Sequence, residues 1–368
     1  MTEKPAANVI EQNFLENYCS LHHLSDIQRI TRGWSADKKY LVQNADGEKF
    51  LLRVTHAAEK FQYKQQEFDV LKTLKKLDLP IPKPIDLTYC KDHKTICMLL
   101  SWVPGKELED ALPKRSPKDQ YRLGITAGKI LRRLHTVPAP DSIPRWEAWF
   151  AKKIDRRIRA YTACGILLPH DEEILAYIAA NRHLIQNRPQ CFQHGDYHVG
   201  NMVLDENGTL GVIDFDRADY GDPWEEFNRI TWCAAVSTYF AAGKIDGYFN
   251  GDIPENFWKL CLLYICSDMT GAAAAAVSLG EDEVAGVVQT ARDVFSWFDD
   301  LNNPIPNWYP CGMSQTGSER GIELSCRKIR DASFAGTAEG KRSSHLPRGN
   351  SPVQRLRVAG TVRRVRKP

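Results

Sequence analysis

The feature that most restricts what this chain can fold into is a change of hydrophobic period at Pro104-Gly105. Before it, short runs of β-branched, aromatic and leucine residues are separated by turn residues. After it, apolar residues recur mainly at helical spacing as far as Leu301. Strands followed by helices predict an α+β architecture, a small sheet followed by a mainly helical part.

Residues 8–22 carry apolar positions at helical spacing, and Ile27–Thr31 leads into Gly33-Trp34-Ser35. The runs at Lys39–Val42 and Lys49–Val54 flank the turn Asn44-Ala45-Asp46-Gly47 and predict a hairpin. Glu59–Leu77 places Phe61, Phe68, Leu71, Leu74 and Leu77 on one helical face, and Pro80, Pro82 and Pro84 stop it. Ile85–Tyr89 and Thr95–Trp102 supply two further strands. Beyond the break, Gln120–His135, Trp149–Tyr161 and Glu172–Leu184 read as helices, and residues 223–301 are mostly helical. The expected division is a first domain over residues 1–103, a second over 104–309, and a tail over 310–368. That tail holds 13 Lys and Arg against 4 Asp and Glu, leaving 36 basic and 42 acidic residues in the body. With scattered apolar residues it cannot offset its ordering entropy and is expected to be disordered. A non-functional extension is the first reading of the tail and a nucleic-acid-binding arm the alternative; the mildly acidic body points to a cationic ligand and away from nucleic acid.

The 10 cysteines include no C-x-x-C pair and sit mostly in apolar surroundings, as reduced core thiols do. The N-terminus lacks a secretory-type apolar stretch. Leu260–Leu279 is Ala-rich and interrupted by Asp268, and so reads as a buried helix, not a membrane span. Together these point to the cytoplasm, with no membrane partner.

The densest polar constellation is His194-Gly195-Asp196-Tyr197-His198-Val199-Gly200-Asn201, followed by a hairpin that ends in Ile213-Asp214. Two carboxylates and a carboxamide converging from a loop and the strand behind it would suit Mg²⁺, which takes oxygen ligands. Phosphoryl transfer needs one group to orient the attacking hydroxyl and others to hold the metal. A His194–His198 metal pair is the competing reading, but no Cys or third His lies nearby; His194 is expected to brace the loop backbone instead.

The string H-G-D-x-x-x-x-N followed by I-D-F resembles the catalytic and metal-binding loops of the aminoglycoside phosphotransferase and choline kinase family. Arg217, Gly221-Asp222-Pro223, Leu131–His135 and Glu67–Leu77 followed by Pro80-Ile81-Pro82 extend the resemblance over residues 25–300. It implies a protein-kinase-like two-lobed fold, with a small antiparallel sheet lobe and a mainly helical lobe. It further implies transfer of the γ-phosphate of ATP or GTP to a small-molecule hydroxyl. Asp196 would be the catalytic group, and Asn201 and Asp214 the magnesium ligands. Gly33 and Ser35 would lie in a phosphate-covering loop, although an ordinary turn would look the same. Arg53 stands where the family places a phosphate-contacting lysine, with Glu67 as its partner; arginine keeps the charge but is bulkier. Leu99–Val103, including Ser101 and Val103, would join the lobes and contact the purine through the backbone.

The resemblance makes an aminoglycoside-like antibiotic the leading acceptor, hence a role in antibiotic resistance, with an endogenous amino alcohol, amino acid or sugar as the alternative. Candidate acidic contacts to a cationic acceptor are Asp219, Asp222, Glu225, Glu226, Asp268, Glu281, Asp282, Asp299 and Asp300, among aromatics such as Trp224 and Trp232. A catalytically silent nucleotide-binding protein is the different-class reading. A protein kinase is disfavoured because Asp214 runs almost directly into Gly221-Asp222-Pro223, with no room for a long activation loop.

Overall fold

The computed structural model describes residues 14–31, 37–90 and 94–309. Gly33, Ser35 and the basic tail therefore lie outside the described residues. The chain separates into two compact units: one comprises residues 1–105 with Gly211–Asp216, and the other Lys106–Leu210 with the chain from Arg217 onward. The sequence places the division at 103/104 and gives no sign that a six-residue segment returns to the first unit.

The first unit is built on five strands: β1 (Leu24–Ile30), β2 (Lys38–Asn44), β3 (Lys49–Thr55), β4 (Pro84–Cys90) and β5 (Thr95–Ser101). They pair antiparallel in the order β1-β2-β3-β5-β4. The predicted hairpin closes through Asn44, whose side-chain oxygen accepts the N–H groups of Asp46 and Glu48 at 3.1 and 2.9 Å. This is the local bonding that suits Asn to turns. Residues 14–21 are helical, and Leu15, Tyr18 and Cys19 pack with Tyr40, Val42, Leu52, Val54, Cys97 and Leu99 as one apolar core.

Helix α1 (Phe61–Leu74) is flanked by single 3₁₀ turns, Ala58–Lys60 and Lys75–Leu77, so the predicted Glu59–Leu77 element is one continuous helical path. The return segment bonds into this unit through the Val212 N–H, which donates to the Pro80 carbonyl at 2.9 Å.

The second unit is mainly helical. A short strand, β6 (Lys106–Glu107), leads into the one-turn α2 (Leu108–Ala111), then α3 (Pro117–Leu134), α4 (Trp146–Cys164) and α5 (Asp171–Asn181). Ser116 caps α3 by accepting the Asp119 N–H at 3.2 Å, with Pro117 preset at the first helical position. Strands β7 (Cys191–Gln193), β8 (Met202–Leu204) and, past β9 (Leu210–Val212), which runs into the segment returning to the first unit, β10 (Asp219–Gly221) follow, with β10 antiparallel to β7 and β6 antiparallel to β8. Four helices complete the unit: α6 (Ile230–Val236), α7 (Thr238–Phe249), α8 (Phe257–Leu279) and α9 (Glu281–Trp297). By length and composition alone α8 could cross a membrane, yet it packs against α4, α5 and α9 and is largely buried. Trp146 is buried, stacks on Phe150 and donates its indole N–H to the Tyr264 hydroxyl at 2.9 Å, pinning α4 to α8.

Candidate functional site

In the first unit, β3 carries Arg53 in register with Lys39 on β2 and Met98 on β5. Its guanidinium is 3% exposed and pairs with Glu67 of α1. It also pairs with Asp37, through Nη2 at 2.7 Å and Nε at 3.2 Å. Lys64, one helical turn before Glu67, sends its ammonium to Asp37 Oδ2 at 2.7 Å and Glu67 Oε2 at 3.2 Å. The Thr55 hydroxyl donates to Asp37 Oδ1 at 2.7 Å. Burial opposes the charge on Asp37, but Arg53 and Lys64 outweigh it and hold the carboxyl at about 2. Burial opposes the charge on Arg53 too, and Glu67 and Asp37 raise its basicity above the ordinary arginine value.

Sequence reasoning paired Arg53 with Glu67 but missed Lys64 and Asp37. A signal for Lys64 existed: at helical spacing it falls on the buried face of α1 with Phe68 and Leu71. Asp37 has no such signal, because its partners lie 16 and 27 residues away.

Asp214 adopts a left-handed backbone with φ 69°, and Lys39 Nζ approaches its carboxylate at 3.5 Å. The neighbouring Asp216 carboxyl is raised above the ordinary range by burial and by the charge of Asp214. Ser101 and Lys83 tie the end of β5 to the chain before β4: the Ser101 hydroxyl accepts the Lys83 N–H at 2.8 Å, and the Ser101 N–H donates to the Lys83 carbonyl at 2.9 Å. Val103 is half-buried in the coil after β5.

In the second unit the loop from His194 to Asn201 lies between β7 and β8. Gly195 sits at φ +79°, and any side chain there would strike the Arg217 carbonyl, so the loop needs glycine. The N–H groups of His194 and Gly195 both donate to the buried Glu226 carboxylate, at 2.5 and 2.9 Å. Burial works against the Glu226 charge, but His135 and His194 prevail and hold the carboxyl below its ordinary value. Below the loop, the buried Lys244 ammonium donates to the Tyr197 carbonyl at 2.8 Å, and the Tyr197 hydroxyl donates to the Ala127 carbonyl at 2.7 Å. His194 accepts the Asp196 N–H at Nδ1 at 3.3 Å, a bond within the loop itself.

This bracing presents Asp196. The Asn201 amide NH₂ donates to the Asp196 carbonyl at 2.9 Å and to Oδ2 at 3.2 Å. His198 Nε2 lies 3.6 Å from Oδ2, while Oδ1 faces Arg229 Nε at 3.2 Å and Arg217 Nη1 at 3.8 Å. Oδ1 is buried yet accepts no hydrogen bond among the described residues. Burial opposes the Asp196 charge, but His198, Arg229 and Arg217 outweigh it and place the carboxyl well below the ordinary carboxylate range. Arg229 is itself held by Asp268 at 2.8 Å, and Asp268 takes Arg157 on its other oxygen at 2.9 Å.

Several acidic residues expected to face a cationic acceptor are thus consumed internally. Asp268 lies between two arginines, and Glu225 pairs with Lys153 at 3.0 Å. Asp222 is fully buried, accepting from Arg188 at 2.6 Å and from the Tyr264 hydroxyl at 2.6 Å. Glu226 braces the loop. Asp219 is exposed on β10, Glu281 and Asp282 open α9, and Asp299 and Asp300 follow it.

As for a metal, no group of three or more His, Cys, Asp or Glu among the described residues could hold one. Asn201 in the second unit and Asp214 in the first are nevertheless each of a type that fits Mg²⁺. Asn201 commits its NH₂ to Asp196, which leaves Oδ1 as its acceptor, and Asp214 contributes a partly exposed carboxylate. Mg²⁺ is commonly held by one or two such oxygens together with phosphates and water.

Residues 26–256 match the family model described as the phosphotransferase enzyme family. Among solved structures, a GDP complex of aminoglycoside 2'-phosphotransferase-IIIa is similar with a TM-score of 0.60 and 14% identity, over 80% of this chain and 99% of that one. The amicoumacin kinase hAmiN, in a complex with AMP-PNP and Ca²⁺, is similar with a TM-score of 0.57 and 16% identity, over 80% and 95%. At these identities the likeness shows the fold, which is protein-kinase-like. The acyl-CoA dehydrogenase family member 11 of Homo sapiens is 25% identical over 169 residues, and that of Rattus norvegicus 22% identical over 177. The matches cover 43% and 45% of this chain, but the chain spans only about a fifth of the length of these curated relatives, 21% and 22% respectively.

Proposed function

The chain belongs to the phosphotransferase enzyme family, and from that premise we propose that it transfers the γ-phosphoryl group of ATP or GTP to a hydroxyl of a small molecule. The observation that carries this reading is the Asp196 carboxylate. One oxygen is held by Asn201, and the other is buried beside the Arg229 guanidinium yet accepts no hydrogen bond among the described residues. A hydroxyl donating to Oδ1 would complete its bonding and be oriented for attack on phosphorus.

The cations that hold Asp196 ionised also make it a weak base. Its main contribution is then to orient the hydroxyl, with the proton transferring late, as suits a loose phosphoryl-transfer transition state that asks little activation of the nucleophile. Arg217, with its guanidinium 58% exposed and 3.8 Å from Asp196, is placed to balance charge that develops on the transferring group. Residues of the first unit, Arg53 above all, would face the nucleotide phosphates. The side chains whose chemistry would suit magnesium are Asn201 in the second unit and Asp214 in the first, and the ion would neutralise phosphate charge.

An aminoglycoside-like antibiotic is supported as acceptor by the fold neighbours alone. The local charge favours the second reading, a sugar or amino acid. Arg217 and Arg229 flank Asp196, and the nearby carboxylates of Asp268, Glu225 and Asp222 already neutralise arginines or a lysine. A polycation would meet little free negative charge there. The cysteines in the described residues are free, which supports a reducing compartment and the cytoplasm as its place of work.

ADP release measured against a panel of aminoglycosides, sugars, amino acids and amino alcohols tests both readings. With the acceptor found, Asp196→Ala should lower kcat by about 10²–10⁴-fold while nucleotide affinity changes little. Undiminished turnover in that variant would remove Asp196 from the mechanism.

A further inference from the structure

The cluster around Arg53 poses a problem for any phosphate-binding role. Arg53 and Lys64 supply two positive charges, Asp37 and Glu67 two negative ones, and all four side chains are 3–5% exposed. Charge is balanced within these four side chains, so a nucleotide phosphate that is to meet either cation competes with a carboxylate.

The bonding identifies which one. Asp37 Oδ2 alone receives Arg53 Nε at 3.2 Å, Arg53 Nη2 at 2.7 Å and Lys64 Nζ at 2.7 Å. Three charge-assisted donors gathered on a single oxygen form a coordination that a phosphate oxygen accepts equally well. Glu67 is not free to leave, because it belongs to the same helix as Lys64, three residues on. Asp37 precedes β2 and belongs to no helix or strand.

Resting on the kinase reading above, we propose that Arg53 and Lys64 together form the phosphate-binding pair of the nucleotide site, with Asp37 as a built-in placeholder that gives way to a phosphate oxygen. Lys64 then returns, from the helix, the ammonium that β3 lacks where it carries arginine. Because the Asp37 carboxyl is held at about 2, the placeholder is an anion at every physiological pH and always competes. Competition from a filled site lowers apparent affinity by the fraction of molecules in which the site is open.

Titration calorimetry of the full chain with ATP tests this. Asp37→Asn keeps the shape and removes the charge, and should bind ATP more tightly by about 3- to 10-fold, an order-of-magnitude expectation from relieving that competition. Thr55→Val removes the bond to Asp37 Oδ1 while leaving both cations, and should shift affinity the same way. Thr55→Val serves where Asp37→Asn fails to fold. Lys64→Met should weaken ATP binding and cancel the gain from Asp37→Asn, whereas Lys64→Arg should keep the affinity near that of the parent. Folded Asp37→Asn and Thr55→Val variants with unchanged or weaker ATP affinity would overturn the placeholder and leave the kinase reading standing. A parent chain that binds no ATP would overturn both.

Discussion

Asp196 shows how much of a reacting side chain is set by groups distant in sequence. Its loop partner Asn201 is five residues away, and the pair was legible from the motif. The cation nearest its Oδ1, Arg229 at 3.2 Å, was not, and neither was the pairing of Arg229 with Asp268 behind it. Arg229 is 33 residues beyond Asp196 and Asp268 another 39, and neither carries a periodic signal. Removing Arg229 has a calculable sign. A carboxyl depressed in the folded state contributes stability above its unfolded value, and loses that contribution as pH falls through the folded value. Arg229→Met takes away one cause of the depression, so the Asp196 carboxyl should rise. The acid limb of the pH profile of kcat should then move upward by about 1–3 pH units, the range typical for a carboxylate beside an arginine. Arg229→Lys, which keeps the charge, should leave the limb near that of the parent, and an unmoved limb in Arg229→Met would show that Asp196 is not the titrating group.

At the scale of elements, apolar periodicity found the helices but mistook what their faces do. Counting Leu123, Ala127, Ile130, Leu131 and Leu134 identifies α3, yet Leu123 is only half-buried and the contact with α7 is made by Gly124 and Gly128. Glycine has no weight in a hydrophobic count, so this face was invisible. Gly243 and Gly247 on α7 answer with the same four-residue spacing, and a side chain at any of the four would strike backbone of the facing helix. The close approach has a consequence for the site: Lys244, beside Gly243, reaches the Tyr197 carbonyl, and Tyr197 bonds back to α3 at Ala127. The helix pair is thus the floor on which the Asp196 loop rests. Gly128→Ala or Gly247→Ala forces the backbones apart and should cost about 1–3 kcal/mol or more, as overpacking does. Chemical denaturation should read that loss, and kcat should fall with it as the loop floor shifts. A neutral Gly128→Ala would mean the crossing is looser than the structure has it.

For the molecule as a whole, the change of period at Pro104-Gly105 carried the architecture, because strand and helix periods are properties of the chain itself. The partition of Gly211–Asp216 was not legible, since it depends on a backbone bond from Val212 to Pro80, made across more than a hundred residues. That partition makes Asp214 a group of the same unit as Arg53 and Lys64. A triphosphate held by those cations must share the unit with the Asp214 and Asp216 carboxylates, which disfavour it unless a divalent cation compensates. ATP with Mg²⁺ at about 100 times its Kd should therefore stabilise the fold by about 2.7 kcal/mol, the value mass action gives for a single site. Excess EDTA at the same ATP concentration should remove most of that gain, through weaker binding and not through unfolding of the unliganded chain, whose Tm should be unchanged by EDTA. The comparison needs four thermal scans, with and without ATP and with and without EDTA. An EDTA-insensitive ATP shift would mean that the protein's own cations suffice, and would remove the metal from the account of nucleotide binding.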